Sequence, residues 1–339
     1  MARLPLARQM EDSSQMPDAM QTNRFVVAAL YKFVAIEDCP ALQAELKQLC
    51  QSHGIMGTLL IATEGLNGTI SGTSAAIEAV TRWLRAHPDF SDIDIKYAAH
   101  AQMPFHRMKV RLKSEIVTMG KADILPSEQA GTYVEPKDWN ALISDPDVLV
   151  VDTRNDYEIA IGQFKGAENP HTTSFRQFPE YAEALASLPE EERPQKIAMY
   201  CTGGIRCEKS TSLMKQMGFD NVYHLKGGIL RYLEEVAVKD SLWEGECFVF
   251  DSRVSVDHAL NAGSYALCHA CKMPLSEEDM QSEFYQPSIS CGYCHDKTSP
   301  QQKARFAERK RQIELAHERG QTHIGQKARI TRPSAKQPD

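Results

Sequence analysis

The feature that most constrains this chain is a cysteine that stands between a predicted buried strand and a predicted helix. The strand covers Lys196 to Tyr200, and the helix is expected from about Cys207 to Met217. The loop between them contains two glycines and reads Cys201-Thr202-Gly203-Gly204-Ile205-Arg206. A strand that runs through a short loop into a helix is typical of an open α/β sheet, whose sites lie at the carboxyl ends of the strands.

The position of Cys201 favours the thiolate form of its side chain. A helix amino terminus offers free backbone N–H groups and the positive end of the helix dipole. Both lower the pKa of a nearby thiol, and Arg206 adds a fixed positive charge. The glycines allow the loop amides to point inward and cradle an anion. We therefore expect Cys201 to be the catalytic nucleophile and Arg206 to assist it; the alternative is a structural cysteine at a strand end.

A second buried strand points to the same sheet. Val148 to Val151 is an apolar run that leads into Asp152-Thr153-Arg154, so charged side chains follow this strand as well. We expect Asp152 and Arg154 to support the site. Cys207 is either a resolving thiol for oxidised Cys201 or a small buried residue that opens the helix, and the second role is favoured.

Four of the nine cysteines form two C-x2-C pairs. The pairs are separated by 19 residues and comprise Cys268, Cys271, Cys291 and Cys294. Four thiolates at this spacing can surround one tetrahedral Zn²⁺, which predicts a structural zinc site. His269, His295 and Cys247 are substitute ligands, and reduced thiols without metal are the alternative. With the basic helix expected from Gln302 to Arg319, this segment would make an RNA-docking unit.

The first third of the chain has the pattern of a small α/β sandwich. The glycine-rich segment Gly65-Leu66-Asn67-Gly68 is typical of a turn. The element order β-α-β-β-α-β is that of a ferredoxin-like fold. Strands are expected at 25–34, 55–63, 69–71, 93–97 and 109–117, and helices at 41–53 and 75–86.

Basic residues alternate along the last of these strands, at Arg107, Lys109, Arg111 and Lys113. The two-residue period of a strand would place them on one face, where they could meet a phosphate backbone or another anion. The alternative is an ordinary solvated sheet face.

The formal net charge of -7 is unevenly distributed. Residues 301–339 carry ten Lys or Arg and four Asp or Glu, so this tail has a charge of +6 and the remainder -13. A basic arm suits RNA phosphates, and a partly disordered solubilising tail is the alternative. We expect a cytoplasmic protein without a membrane span, because no apolar run approaches ~20 residues and residues 1–24 lack a signal-peptide pattern.

Several motifs resemble those of rhodanese domains. The resemblance covers about residues 128–240 and implies a doubly wound parallel sheet with Cys201 as the persulfide-forming or nucleophilic cysteine. The sequence departs from the pattern at Gln163, where many rhodaneses have His. The matching residues are Asp152-Thr153-Arg154, Glu158, Gly162 to Asn169, the Cys201 loop, Gly218-Phe219 and Leu225 to Gly228.

A wider similarity spans roughly residues 25–300. The segments Glu64 to Thr69, Lys109 to Thr118 and Cys201 to Lys209 resemble the bacterial tRNA uridine(34) hydroxylases. This resemblance implies oxygen-dependent formation of 5-hydroxyuridine at the wobble position, with the tRNA anticodon loop as partner and molecular oxygen as co-substrate. No flavin, haem or nicotinamide motif is found in the sequence, and the sulfur or electron donor is not identified.

The chain is therefore expected to contain six segments. They are a disordered N-terminus (1–24), a ferredoxin-like domain (25–118), a linker and rhodanese entry (119–143), a rhodanese domain (144–240), a cysteine-rich zinc-binding-like region (241–300) and a basic tail (301–339).

Two other functions are open. A sulfurtransferase could move sulfane sulfur through a Cys201 persulfide, and the loop alone supports this equally well. A non-catalytic RNA-binding adaptor is the third hypothesis, and the presence of Cys201 speaks against it. The N-terminal domain and the cysteine-rich segment favour the hydroxylase, because simple sulfur transfer requires neither.

Overall fold

The chain divides into two units between Ile116 and Val117. The computed structural model describes residues 25–100, 102–251 and 253–319. The expected disordered segment 1–24 and the end of the basic tail, residues 320–339, lie outside the described residues. Within the described ranges, no helix combines the length and apolarity needed to cross a bilayer.

The N-terminal unit is a five-stranded sheet with two helices. Its strand order is β4-β1-β3-β2-β5, antiparallel throughout except for the parallel pair β2 and β5. The elements are β1 (Phe25–Phe33), α1 (Cys39–Ser52), β2 (Met56–Ala62), β3 (Gly65–Gly72), α2 (Ser74–Ala86), β4 (Asp94–His100) and β5 (Met108–Leu112).

Both helices pack on one face of this sheet, because apolar side chains recur at helical spacing on α1 and α2 and at alternate positions on the strands. Asp38 caps α1 by accepting a hydrogen bond from the Ala41 N–H, and Thr73 caps α2 in the same way through Ala76. The shared core contains Leu42, Leu46, Ile77, Val80 and Leu84 from the helices and Val26, Ala28, Leu30, Leu59 and Ile70 from the strands.

The predicted turn at Gly65–Gly68 is wrong, because these residues lie inside strand β3. The chain turns one step earlier, at Thr63 and Glu64. The glycines serve a different purpose, which is close approach of strands: a Cβ atom on Gly68 would lie 2.1 Å from the Thr58 carbonyl oxygen.

Two polar residues of this segment, Glu64 and Asn67, bind the last residue of the N-terminal unit, Ile116. The Ile116 N–H donates to Glu64 Oε1 at 2.6 Å, and Asn67 Nδ2 donates to the Ile116 carbonyl at 2.8 Å. Both backbone groups of Ile116 are therefore satisfied by side chains, and the predicted strand 109–117 ends early, at Leu112.

The C-terminal unit is built on a parallel sheet with the order β6-β10-β9-β7. Its first elements are β6 (Thr132–Val134), α3 (Pro136–Ile143), β7 (Val148–Asp152), α4 (Asp156–Ile159), β8 (Gly162–Phe164), α5 (Phe178–Ala186), β9 (Lys196–Tyr200), α6 (Ile205–Gln216), β10 (Val222–Leu225) and α7 (Gly228–Glu235). Strand β6 lies in the segment expected as the entry to this domain.

Helices cover both faces of the parallel sheet, which explains why its strands read as continuous apolar runs. Val151, Met199 and Val222 point into a core shared with α5 and α6. Val150, Ala198 and Leu225 point into a second core shared with α3 and α7. The predicted mixed α/β organisation, with an N-terminal sheet domain and a parallel-sheet domain, is confirmed.

The rest of the unit consists of short strand pairs and two helices. Strand β11 (Trp243–Gly245) pairs with β8, β12 (Cys247–Phe248) with β13 (Ser255–Val256), and β14 (Ala266–Leu267) with β15 (Pro274–Leu275). Helices α8 (Glu277–Gln281) and α9 (Pro300–Glu318) follow. The last small core consists mainly of Leu275 and the four paired cysteines, so little apolar surface holds this part together.

The buried residue His224 makes the stability of the fold depend on pH. His224 of β10 is 1% exposed, and its ring centroid lies 4.1 Å from that of Tyr133. Neither ring nitrogen has a well-formed hydrogen bond within the described structure. Burial lowers the pKa of His224 to about 4, although the nearby backbone of Gly131 opposes part of this shift. The imidazole is therefore neutral in the folded chain at pH values where the unfolded chain would protonate it.

We predict that the free energy of unfolding falls by about 3 kcal/mol between pH 6.5 and pH 4 because of His224. The sign follows from the lowered pKa: over this range the unfolded state binds a proton that the folded state does not. Urea denaturation at several pH values should show that His224→Leu flattens this dependence. An unchanged pH dependence in the variant would contradict the prediction.

Candidate active site

The reactive loop lies where the sequence predicts it, between the end of β9 and the start of α6. Cys201 is fully buried, and the Gly204 N–H donates a hydrogen bond to its Sγ at 3.1 Å. Gly204 has a φ of 103°, which a residue with a side chain rarely adopts. The glycine therefore turns the backbone so that an amide points at the sulfur as the helix begins.

Backbone hydrogen bonds from the start of α7, next to Gly227 and Gly228, also hold this loop. The N–H groups of Ile229 and Leu230, at the start of α7, donate to the carbonyls of Cys201 and Thr202 at 2.9 and 3.1 Å. A Cβ atom on Gly228 would lie 2.5 Å from the Cys201 carbonyl oxygen. The loop carbonyls are thus drawn towards α7, which requires a glycine at the contact.

An ion pair sits beside the loop. Arg206 Nη1 and Nη2 each bind one carboxylate oxygen of Glu158 at 2.7 Å, and Glu158 is completely buried. Glu158 Oε2 also accepts the Asn155 N–H at 3.1 Å at the start of α4. Burial raises the pKa of Glu158, but the charge and hydrogen bonds of Arg206 outweigh this effect, so the pKa is lowered. Both partners are therefore charged.

Glu158 holds Arg206 in place, and sequence reasoning assigned it no role. Only the resemblance to rhodaneses included it. The pattern of Asn155 followed three residues later by Glu158 is a helix-capping signal, which could have shown that the carboxylate faces a helix start. Its pairing with Arg206, 48 residues away, is a long-range contact that no local pattern reveals.

The Cys201 thiol is strongly acidic for a buried group. Burial raises its pKa, but a hydrogen bond from Cys207, the charge of Arg206 and the backbone N–H groups of Cys207 and Gly204 together lower it to about 5. The Cys207 thiol has the opposite shift, since burial and the neighbouring Cys201 raise its pKa well above the usual value. At neutral pH, Cys201 is a thiolate and Cys207 a protonated donor.

Thr153 extends this arrangement to the neighbouring strand end. Its hydroxyl donates to the Tyr200 carbonyl at 3.0 Å, and its Oγ1 lies 3.5 Å from Cys207 Sγ. Since the only Thr153 hydroxyl proton is engaged with Tyr200, Thr153 can only accept at this contact, and the Cys207 S–H has two acceptors beside it, Thr153 Oγ1 and the Cys201 thiolate.

Asp152 and Arg154 lie at the carboxyl end of β7 but bind each other. Arg154 Nε and Nη2 donate to the two carboxylate oxygens of Asp152 at 2.9 and 2.6 Å, and Nη2 also donates to the Gly162 carbonyl at 2.6 Å. The guanidinium lies 5.1 Å from the Trp243 ring centroid. This pair joins β7, α4 and β8 and so supports the elements that carry Glu158.

The four basic residues Arg107, Lys109, Arg111 and Lys113 are all exposed. Met108 and Val110 alternate with them and pack against the core shared with α1 and α2. The basic side chains therefore lie on the face of the N-terminal sheet opposite its helices.

The four paired cysteines form one cluster. Their sulfur atoms all lie within 4.8 Å of one another, and three of the four residues are buried. Cys291 Sγ lies 3.6 Å from Cys271 Sγ and 3.8 Å from Cys294 Sγ. Four sulfurs bound at ~2.3 Å around a tetrahedral Zn²⁺ would be about 3.8 Å apart, so this cluster has the size and the ligand chemistry of a metal site.

The substitute ligands His269, His295 and Cys247 are not among the clustered residues. His295 contacts the Phe284 ring and Asp296, and Cys247 hydrogen-bonds to the Phe248 carbonyl. Burial lowers the pKa of His269, and the charges of Lys272 and Arg309 add to this effect.

Each of the two units matches a known protein-family model. The model of the UPF0176 acylphosphatase like domain matches residues 25–116, and the rhodanese-like domain matches residues 135–235. Proteins named tRNA uridine(34) hydroxylase from Teredinibacter turnerae and Agrobacterium fabrum are 54% and 52% identical to this chain. The alignment with the Teredinibacter turnerae protein covers 91% of this chain and 95% of that protein. The alignment with the Agrobacterium fabrum protein covers 93% of this chain and 100% of that protein.

The chain belongs to the tRNA uridine(34) hydroxylase family. Both predicted resemblances are confirmed: the rhodanese-like match includes the Cys201 loop, and the wider similarity extends over nine-tenths of the chain. A third hydroxylase-family relative, from Rhizobium leguminosarum, is 55% identical over 90% of this chain and 97% of its own length.

We predict that Gly228→Ala slows alkylation of Cys201 by roughly tenfold or more at neutral pH. The added methyl group displaces the loop carbonyls, and loss of one hydrogen bond to the thiolate costs about 1.5–3 kcal/mol. Time-resolved mass spectrometry of the Cys201 peptide after iodoacetamide treatment measures the rate. Gly166→Ala is the matched control, because Gly166 has a similar φ of 76° but no atom within 4 Å of an added Cβ. Equal rates in the two variants would contradict the prediction.

We also predict that Cys201 alkylation follows a titration midpoint near pH 5 and that Cys207→Ala raises this midpoint by about one to two pH units. The shift arises because the thiolate loses its donor. Cys207→Ser, which keeps a donor, should stay close to the unmodified chain. Identical midpoints for the alanine variant and the unmodified chain would show that Cys207 only fills space.

Proposed function

We propose that this chain hydroxylates C5 of uridine 34 in tRNA and that Cys201 is the reacting side chain. The hydroxylase function expected from the resemblance is confirmed at the level of the family, and the family relationship supports it over simple sulfur transfer. The observation that carries the role of Cys201 is its buried position beside the Gly204 N–H and Arg206, where a thiolate is stable at neutral pH.

A thiolate can activate uracil by adding to C6. The C6–S bond forms as the C5–C6 π electrons move towards C5 and the C4 oxygen, which leaves an enolate that is nucleophilic at C5. Departure of the sulfur with loss of the C5 proton would later restore the aromatic ring. Gly204 and Arg206 suit the first step, because an N–H donor and a fixed positive charge stabilise the sulfur whenever it carries negative charge.

Hydroxylation at C5 requires an oxidant, for which we propose molecular oxygen. One oxygen atom enters the base, and the other leaves as water after receiving two electrons and two protons from a separate reductant. The residues around Cys201 contribute the nucleophile and the electrostatic environment, while the anticodon loop can present an unpaired base at low cost.

Arg206 must keep its charge and position through this cycle, and Glu158 would maintain both. A guanidinium without its carboxylate would be a buried unpaired charge, which is strongly unfavourable. Asp152, Arg154 and Thr202 would act more indirectly: the first two fix the strand ends, and the Thr202 hydroxyl lies 3.4 Å from both Glu158 Oε1 and Arg206 Nη2.

We infer that the four-cysteine cluster holds a structural Zn²⁺. Four thiolates fill a tetrahedral shell and leave no open position, which is the arrangement of structural rather than catalytic zinc. The ion would join the two cysteine pairs in a region whose apolar core is small.

The N-terminal unit suits the role of an RNA-contacting module. Its order β4-β1-β3-β2 with both helices on one face is that of a ferredoxin-like sandwich, to which β5 adds an edge strand. The exposed basic stripe on β5 is complementary to tRNA phosphates. A tRNA substrate and a cytoplasmic location are consistent with each other, since tRNA is modified where it is used.

Nucleoside mass spectrometry of total tRNA from aerobically grown cells tests the function. A strain that lacks this gene, and the same strain complemented with Cys201→Ser, should both lose 5-hydroxyuridine. Complementation with Cys39→Ser, which changes a cysteine of the N-terminal unit, should restore it. Unchanged hydroxylation without the gene would refute the proposal if no second enzyme makes this nucleoside, and a loss of thiolated nucleosides instead would indicate sulfur transfer.

A further inference from the structure

The region around the four-cysteine cluster exposes aromatic rings that its core does not use. Phe284 is 41% exposed, and its ring centroid lies 5.0 Å from that of His295 at an angle of 46°. Tyr293, between the two cysteines of the second pair, is 47% exposed. An exposed aromatic ring gives a ligand a flat surface on which an unpaired base can stack.

The basic helix α9 starts next to the second cysteine pair and to His295. It begins at Pro300, five residues after His295, and the Thr298 N–H and hydroxyl both donate to the Cys294 carbonyl, at 3.0 and 2.8 Å. These bonds tie the start of the helix to the second cysteine pair.

Most of the charge of α9 is free to bind a ligand. None of its residues is buried, and it contains five Lys or Arg against three Glu. Two of these cations, Lys310 and Arg311, pair with glutamates of the same helix. The other three, Lys303, Arg305 and Arg309, have no acidic partner within ion-pair distance among the residues described here.

The other exposed ring, that of Tyr293, lies near negative charge. Burial and the nearby charge of Asp279 raise the pKa of Tyr293, and Asp279 belongs to helix α8 together with Glu277 and Glu278. An anionic ligand would be attracted towards Phe284 and α9 and repelled from Tyr293 and α8. Asp296 contacts His295 Nδ1 at 3.0 Å, so attraction of an anion to the Phe284–His295 pair depends on the cations of α9.

We propose that the Phe284–His295 pair and the cations Arg305 and Arg309, which lie about one turn apart on one face of α9, form one RNA-binding surface, on which an unpaired base stacks on Phe284 while α9 contacts the adjacent phosphates. The inference rests on the proposed function, which makes the RNA a tRNA, and it names where the single-stranded part of that tRNA binds. Stacking of a base on an aromatic ring contributes about 1–3 kcal/mol and tolerates any base, while phosphate contacts make binding sensitive to salt.

Binding of a fluorescent anticodon stem-loop RNA to the full-length, metal-loaded protein tests the surface. Phe284→Leu should weaken binding roughly tenfold without changing the slope of log affinity against log salt. Arg305→Gln combined with Arg309→Gln should reduce that slope by about 1.4, because each single-strand phosphate contact contributes about 0.7. For a fully paired RNA of equal length, Phe284→Leu should have no effect.

Tyr293→Leu is the matched control, since it removes an equally exposed ring from the same module on its acidic side. Its affinity should stay within about twofold of the unmodified protein. Equal losses for Phe284→Leu and Tyr293→Leu would overturn the assignment, and so would unchanged binding by the Phe284 and arginine variants. Bound metal and melting temperature equal to those of the unmodified protein establish that each variant is folded.

Nucleoside analysis with the same variants separates this inference from the proposed function. If the unmodified protein forms 5-hydroxyuridine and the Phe284 and arginine variants bind RNA normally, the surface is refuted and the hydroxylase function stands. If the unmodified protein binds the stem-loop through this surface but forms no 5-hydroxyuridine, the proposed reaction fails and the surface stands.

Discussion

The structure depends on keeping a negative charge on a sulfur that has no contact with water. Burial alone would raise the pKa of Cys201, so every group that lowers it must be supplied by the protein. Arg206 supplies one of these effects but is itself buried and requires the Glu158 carboxylate. Glu158 in turn is completely buried and depends on Arg206 and on the Asn155 N–H at the start of α4. One thiolate therefore fixes the placement of residues from two helices and the loop.

This arrangement is possible because parallel strands end at the same edge of the sheet. Strands β7 and β9 are neighbours, which brings Thr153 and Cys201 to adjacent strand ends, and α7 follows the next strand, β10. The amino terminus of α7 binds the Cys201 and Thr202 carbonyls, and that of α6 lies next to the sulfur. The free N–H groups at the starts of two helices therefore hold one short loop: those of α7 bind its carbonyls, and that of Gly204 at the start of α6 binds the sulfur.

Local patterns predicted the arrangement around Cys201 because that arrangement lies within one short segment of the chain. The strand, the glycines, the helix start and Arg206 lie within eleven residues of sequence, from Lys196 to Arg206. The same holds for the two cysteine pairs, whose spacing predicted the cluster that the structure contains. Long-range features were missed. The role of Glu158 depends on Arg206, 48 positions later, and the need for Gly228 arises only when α7 packs against the loop. The turn predicted at Gly68 was wrong for the same reason, because the glycine is needed where a neighbouring strand approaches closely.

The chemistry around Cys201 does not by itself distinguish a hydroxylase from a sulfurtransferase, because both need a stable thiolate in an anion-binding loop. What differs is the substrate that must reach the sulfur. A small sulfur donor needs only the loop, whereas a wobble uridine arrives on a large polyanion that must be held while one base is presented. The chain carries positive charge at two places outside the rhodanese-like domain, on the free face of β5 and along α9. Its substrate preference is therefore expected to reside in the parts that a simple rhodanese lacks, while the loop supplies a reactive sulfur common to both.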